Sequence, residues 1–256
     1  MLLLLSCAKT MSVSSRTRTP FTTTPRFATE ASGIALQMSQ FSVEELERLL
    51  RVNSKIAVEN YRRYQQFHAE DTSELPALLA YTGIVFKRLQ PQDFSADDFA
   101  YAQSCLRLTS FCYGLLRPLD TIRPYRLEGD VVLPEPGGQT MFAYWQARLT
   151  DTLIADVRQA SGILCNVASD EMKNLFDWKR IEREVRVVTP EFQVWKADKL
   201  TTVVVYTKMA RGEMARFVLK NRIEQVEELK RFTWEGFELD TSRSTDNKLV
   251  FTMGAS

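Results

Sequence analysis

The chain has 256 residues, 45% of them hydrophobic and 25% charged, with 33 basic and 32 acidic side chains and a formal net charge of +1. These are the proportions of an ordinary soluble globular protein, and the length suits one compact domain or two closely packed lobes. Near-neutrality excludes whole-molecule basicity as a reason to bind nucleic acid, so any anion site must come from local clustering.

The first 27 residues, MLLLLSCAKTMSVSSRTRTPFTTTPRF, invite two targeting readings. Leu4-Leu5-Ser6-Cys7 looks like a lipoprotein cleavage box, yet no basic residue precedes it and the apolar run is too short for a signal. Residues 9–27 are rich in Arg, Ser and Thr with no acid before Glu30, the composition of an organelle transit peptide. The better reading is a buried strand over residues 2–5 running into a loop at residues 6–10, because short apolar runs bounded by polar residues are core strands. Ser6, Lys9 and Thr10 then stand just past a strand end, where many α/β proteins bind ligands.

Ser42 followed by Glu45 is a capping box that starts a helix at Val43, with Leu46, Leu49 and Leu50 on one face. It stops near Arg51-Val52-Asn53, and a second helix starts with Ser54 as its cap. Residues 42–66 thus read as two short helices on a tight turn, a helix-hairpin-helix-like element. The Gly-h-Gly of a phosphate-gripping hairpin is missing, and Asn53 is the residue there that best tolerates a left-handed conformation. On the residues alone an ordinary αα-hairpin is the better reading. Ala80-Tyr81-Thr82-Gly83 breaks the next helical stretch, and Ser95 caps a helix with Asp97 and Asp98 in its first turn.

That helix feeds residues 107–128, RLTSFCYGLLRPLDTIRPYRLE, which set Arg107, Arg117, Arg123 and Arg126 among Phe111, Tyr113 and Tyr125. Pro118 and Pro124 argue against a continuous helix here. Arginine forks suit oxyanions, but they equally suit Asp120 and Glu128, the acids of the stretch. An anion site and a set of staples both remain open.

Residues 134–138, PEPGG, form a loop, and residues 141–159 an amphipathic helix through Phe142, Trp145, Leu149, Leu153 and Val157. Residues 163–167 read as a second buried strand, followed by a polar loop at residues 168–171. Residues 184–197 and 200–206 read as a β-hairpin. The next segment places Lys208, Arg211 and Arg216 near one side of a helix, a pattern that is also that of a solvated face. Gly212 within it costs about 1 kcal/mol relative to alanine, which signals a close approach. Residues 232–240 and 248–252 close the chain as strands.

Cys7, Cys105, Cys112 and Cys165 lack CxxC spacing and His68 is the single histidine, so no metal site is expected. Reduced, buried thiols are expected instead. His68 sits at a helix end among polar residues and completes no triad. P-loop, GxGxxG, G-x-S-x-G, HExxH and EF-hand motifs are absent, and no cofactor is expected. No stretch approaches a transmembrane length.

Ser6-Cys7-Ala8-Lys9-Thr10-Met11, Phe94-Ser95-Ala96-Asp97-Asp98-Phe99, Leu115-Leu116-Arg117-Pro118-Leu119-Asp120, Pro124-Tyr125-Arg126-Leu127-Glu128, Asn166-Val167-Ala168-Ser169-Asp170-Glu171 and Lys208-Met209-Ala210-Arg211-Gly212 together resemble the bacterial YaaA peroxide-stress protein family. The resemblance is co-linear and covers essentially the whole chain. It implies one α+β domain over residues 1–256, with a mixed sheet, surrounding helices and a basic cleft. It also implies a cytoplasmic protein that binds double-stranded DNA without much sequence preference and limits free iron and oxidative DNA damage. Carried onto this chain, the hairpin is residues 51–57, with Arg51, Val52, Asn53, Ser54 and Lys55 at its turn. The cleft cations are Lys9, Arg117, Arg126, Lys208, Arg211 and Arg216. Cys7 stands where the family usually has proline, which alters loop rigidity and adds an oxidisable thiol.

A DNA groove that only holds phosphates has little use for Glu128 or Glu171. Ser6, Thr10, Tyr125, Asn166 and Ser169 add further polar groups, several at strand ends. The alternative expectation is therefore an enzyme acting on a small phosphorylated or nucleotide-like substrate in the same cleft, with a carboxylate as base or as a group that orients arginine. Direct iron binding has no ligand spacing to support it.

Overall fold

The four leucines Leu2–Leu5 are fully buried and form the strand around which the sheet is built. The computed structural model describes residues 1–135 and 137–254. The first part of the chain forms β1 (Leu2–Leu5), α1 (Ala28–Met38), α2 (Val43–Leu50), α3 (Ser54–Gln65), β2 (Leu75–Pro76), α4 (Ala77–Ala80) and α5 (Ile84–Leu89). Then come α6 (Ala96–Cys105), β3 (Leu106–Ser110), β4 (Gly114–Leu116), β5 (Thr121–Ile122), α7 (Met141–Ala160), β6 (Ile163–Asn166) and α8 (Asp170–Lys173). The chain closes with α9 (Trp178–Glu184), β7 (Arg186–Lys196), β8 (Lys199–Thr201), α10 (Val204–Asn221), α11 (Val226–Leu229), β9 (Phe237–Leu239) and β10 (Lys248–Met253).

One mixed sheet has the order β4-β3-β1-β6-β7-β10-β9, with β8 paired to β7. Its middle, β3-β1-β6-β7-β10, is parallel, and β4, β9 and β8 add antiparallel pairs at its margins. A parallel strand covered on both faces needs no polar alternation, which is why a run of leucines serves as β1. A single hydrophobic cluster runs from Met1 to Phe251 through sheet and helices, so the chain is one α+β domain. Parallel pairing also places the ends of β1, β3 and β6 at one edge of the sheet, beside the loops that follow Leu5, Ser110 and Asn166.

Two helix starts are read correctly by their caps. Ser42 and Glu45 form a reciprocal box on α2, as do Ser95 and Asp98 on α6. Helix α7 buries Trp145, Leu149, Leu153 and Val157. Gly212 marks the expected close approach, since a Cβ there would lie 2.3 Å from the Val85 carbonyl oxygen, where α5 packs on α10.

Four expectations change. Asn53, not Ser54, caps α3, its Oδ1 accepting from the Ile56 N–H at 3.0 Å. The left-handed residue of that turn is Arg51, at φ 52. The expected strand over residues 200–206 stops at Thr201, and the β-branched run Val203-Val204-Val205 opens α10 because that helix packs on α5 and β7. Residues 232–240 keep only Phe237–Leu239 as strand, because Glu235 (φ 49) and Gly236 (φ 81) turn the chain just before it. In the expected loop at residues 134–138, Pro136 lies outside the described residues. Among the described residues no helix is long and apolar enough to cross a membrane.

Candidate functional site

The loops at the carboxyl edge of the sheet enclose a cavity of about 340 Å³. The end of β1 contributes Ser6, Lys9 and Thr10, and the segment after β5 contributes Tyr125, Arg126 and Glu128. Ser169 and Glu171 follow β6, and Lys208 and Arg211 project from α10. Three residues apart, these last two share one helix face. Ten of the thirteen expected cleft residues thus line one cavity, drawn from four distant segments.

The loops are fastened to one another. The Ser6 hydroxyl donates to Ser169 Oγ at 3.2 Å and accepts the Ser169 N–H at 2.8 Å, joining the ends of β1 and β6. Glu128 takes Lys9 Nζ at 2.8 Å on one carboxylate oxygen and Arg126 Nε at 2.9 Å on the other. The Tyr64 hydroxyl donates to the Arg126 carbonyl at 2.6 Å and so anchors that loop to α3. Thr82 donates to the Thr10 hydroxyl at 3.2 Å. Below, the buried hydroxyls of Ser110, Tyr125 and Tyr81 form a chain, with contacts of 2.7 and 2.8 Å. Ser110 Oγ already accepts the Cys112 and Tyr113 N–H groups, so its one hydrogen goes to Tyr125. Burial drives both tyrosine hydroxyls well above their ordinary range, so they stay protonated.

Among the described residues, the Lys208, Arg211 and Glu171 side chains make no hydrogen bond or ion pair, and Arg211 is half-buried. Burial lowers the Arg211 pKa and nearby Asp170 partly opposes the shift. Guanidinium remains charged throughout the accessible range, so an arginine with no carboxylate faces the cavity. Cys7 also lines the wall, and its thiol is pushed up to about 12, first by burial and then by Glu171. It is therefore a thiol at neutral pH, and a thiolate nucleophile is not what this wall presents.

Three expected cleft residues lie elsewhere. Arg117 bonds Asp120 through Nε at 3.1 Å and Nη2 at 2.8 Å and reaches the Thr24 carbonyl. It is a staple on a different recess, one that also includes Arg26, Arg107 and Asp156. Arg216 sits about 140° round the helix from Arg211 and pairs with Asp93 at 2.6 Å. Asn166 is buried beneath the loop, where Oδ1 accepts the Ala168 N–H at 3.2 Å while Nδ2 lacks a partner. Of the other arginines in residues 107–128, Arg107 is buried against Asp156 at 2.5 Å and Arg123 holds Glu74 at 2.8 Å. Arg126 alone of the four reaches the cavity.

At the turn between α2 and α3, Arg51 pairs with Asp130 at 2.6 Å and Ser54 donates to Glu47 at 2.7 Å. The Arg51 and Val52 N–H groups bond the Arg48 and Glu47 carbonyls, so these two amides are occupied within the element. Asn53 is taken up as the cap, and Lys55 is exposed. The cavity walls that sequence reasoning missed are apolar: Gly83, Ile84 and Val85 at the start of α5, and Met172. Gly83 was the one visible signal, and a Cβ there would lie 2.8 Å from Ala8 Cβ.

The family described as peroxide stress protein YaaA matches residues 1–243. The chain belongs to this family. It is 75% identical to a UPF0246 protein of Bacteroides thetaiotaomicron over 254 residues, covering 99% of each chain. A UPF0246 protein of Porphyromonas gingivalis is 50% identical over 255 residues, covering 99% of this chain and all of the relative. One from Crocosphaera subtropica is 35% identical over 253 residues, covering 98% of this chain and 99% of the relative. The expected peroxide-stress family is thus shown, and the expected α+β fold is that of the structure.

Proposed function

We propose that this YaaA-family chain is a cytoplasmic peroxide-stress protein that binds double-stranded DNA through phosphate contacts at the mouth of the basic cavity. The observation that supports the reading is the pairing state of the cations. Lys208 and Arg211 share one face of α10 without a carboxylate partner among the described residues, and Lys9, 63% exposed in its side chain, stands at the same cavity. The exposed Lys55 supplies a second contact, on a turn linked to the cavity because Arg51 pairs with Asp130, two residues beyond Glu128. Such contacts carry little sequence information, since phosphate contacts position a protein without reading bases.

The effect on free iron is indirect in this reading. Protein cations on DNA phosphates displace the counterion atmosphere, iron included, from the backbone, which limits oxidative damage at the DNA by lowering the iron held there rather than by binding iron. Among the described residues no group of three or more His, Cys, Asp or Glu side chains is disposed to hold a metal ion.

A salt titration of duplex binding tests the proposal. Each phosphate contact contributes about 0.9 to the slope of log K against log salt, so Lys208→Glu and Arg211→Glu should each flatten that slope and weaken binding across all sequences. A slope near zero in the parent protein, or unchanged binding in both variants, overturns it.

A further inference from the structure

We propose that the cavity at the carboxyl edge of the sheet is a seat for a small phosphomonoester with a hydroxyl- or amine-bearing body, its phosphate held by Arg211 and Lys208 and its body by Glu171. The shared chemistry covers a nucleoside monophosphate and a sugar phosphate alike. A volume of about 340 Å³ lies at the small end of ligand pockets, which run from about 300 to 1,000 Å³. It suits a mononucleotide-sized molecule and is too small to admit a duplex.

The cavity is rich in idle donors. Ser6 donates to Ser169, so the Ser169 hydroxyl hydrogen remains free, and Thr82 donates to Thr10, which leaves the Thr10 hydrogen free as well. The backbone N–H groups of Ala8, Lys9 and Thr10, in the loop that lines the cavity, have no acceptor among the described residues. Together with the unpaired guanidinium of Arg211 and ammonium of Lys208, these groups match the acceptor oxygens of one phosphate. Arg211 is half-buried and so partly stripped of water, which strengthens its attraction to an anion.

The carboxylates decide the rest of the ligand. Four cations (Lys9, Arg126, Lys208, Arg211) line the cavity with two acids, Glu128 and Glu171. Glu128 is occupied by Lys9 and Arg126, whereas Glu171 has no partner among the described residues. A uniformly anionic ligand would be repelled by Glu171. A ligand with one anionic end and neutral hydroxyl or amine groups at the other would be oriented by it, donating to the carboxylate. The apolar walls at Ile84, Val85 and Met172 supply contact area for the body.

The test is calorimetric titration of the full-length protein with adenosine 5′-monophosphate and glucose 6-phosphate, set against inorganic phosphate, adenosine and glucose. At least one phosphomonoester should bind measurably tighter than inorganic phosphate and than its own dephosphorylated form. Arg211→Ala should weaken it by about tenfold or more, the loss typical of a charge-assisted hydrogen bond. Arg211→Lys should restore part of the affinity, and the exposed Lys208→Ala gives a second variant with little folding risk. Glu171→Gln should weaken the phosphomonoester, whereas inorganic phosphate, no longer repelled by that carboxylate, should bind as well as before or better. The two arms separate sources, since binding of only one ligand assigns the body as nucleoside or sugar. Absence of binding by either ester, or inorganic phosphate binding as tightly as both, overturns the proposal. Duplex binding is measured in parallel on the same variants. Salt-dependent duplex binding without ester binding defeats this inference alone, and ester binding without duplex binding defeats the DNA reading alone.

Discussion

Lys9 Nζ lies 2.8 Å from Glu128 Oε2, and the same carboxylate holds Arg126 through its other oxygen at 2.9 Å. One glutamate thus ties the loop after β1 to the loop after β5 and pairs with two of the cavity's four cations. The two halves of this bridge differ in environment. Lys9 is 63% exposed in its side chain, whereas Arg126 and Glu128 are 15% and 13% exposed.

Glu128→Gln should therefore have opposite effects on stability and on anion binding. Breaking the shielded Arg126 contact should cost about 1–3 kcal/mol, as for a charged group deprived of its partner. Lys9→Ala, which removes only an exposed pair, should cost no more than about 1 kcal/mol. Freed cations should at the same time raise affinity for duplex DNA or inorganic phosphate in Glu128→Gln. Urea denaturation and anion titration of the two variants check both halves. Equal stability losses in both variants would refute the division.

Gly212→Ala should destabilise although it improves helix propensity by about 1 kcal/mol. The added Cβ would lie 2.3 Å from the Val85 carbonyl oxygen and 2.8 Å from Arg88 Cβ, so α5 must move away from α10. Overpacking of this kind costs about 1–3 kcal/mol beyond the propensity gain. A thermal melt decides the sign, and a rise in melting temperature would show that the helices are not in the contact described. Displacing α5 also shifts Ile84 and Val85 in the cavity wall, so ligand affinity should fall in the same variant.

What could be read from the sequence divides along physical lines. Local devices were legible: the buried run at β1, the boxes at Ser42 and Ser95, and the polar loops past β1 and β6. Tertiary choices were not. Arg117 and Arg126 each follow or precede a proline within two residues and each has an acid within three, so nothing local separates a staple from a cavity arginine. Asp120, fully buried, claims Arg117, whereas Glu128 at the cavity shares Arg126 with Lys9 from the other end of the sequence. The run Val203-Val204-Val205 has strand propensity and becomes a helix start because α10 packs against α5 and β7. The walls at Ile84, Val85 and Met172 carry no chemistry of their own, so no motif could announce them.

Cys7 should be slow to alkylate in the native protein at pH 8, although it lines the cavity. Its thiol is pushed up to about 12 by burial and by Glu171, while an unfolded thiol titrates near about 8.5. The thiolate fraction at pH 8 is then negligible when folded and appreciable when unfolded. The same shift makes a stability statement. A group whose folded pKa is raised contributes stability that is complete below the unfolded value and is lost as pH rises toward the folded one. Stability should therefore decline between about pH 8.5 and 12, with Cys165, also raised to about 12, adding to the slope. Cys7→Ala should shallow that decline. Mass-spectrometric counting of iodoacetamide adducts with and without denaturant measures the first effect, and prompt native labelling of Cys7 would contradict it.

Asp98 contributes to the acid limb of the stability curve. Burial alone would raise its carboxyl, but donation from Lys220 Nζ at 2.8 Å, the Ser95 N–H at 3.0 Å and Arg222 Nη2 at 2.8 Å outweighs burial and holds it well below the usual carboxylate range. A depressed folded pKa contributes stability above the unfolded value, about 3.9, and loses it as pH falls below that toward the folded value. Asp98→Asn keeps an acceptor for the Ser95 cap but gives up the charge that Lys220 and Arg222 share. Those cations are 33% and 37% exposed in their side chains, so solvent screening limits the loss at pH 7 to about 1–2 kcal/mol. Below about pH 4 the parent protein should lose stability faster than the variant, and the two curves should converge. Urea unfolding between pH 2.5 and 7 makes the comparison, and parallel curves would mean that Asp98 is not the group that titrates.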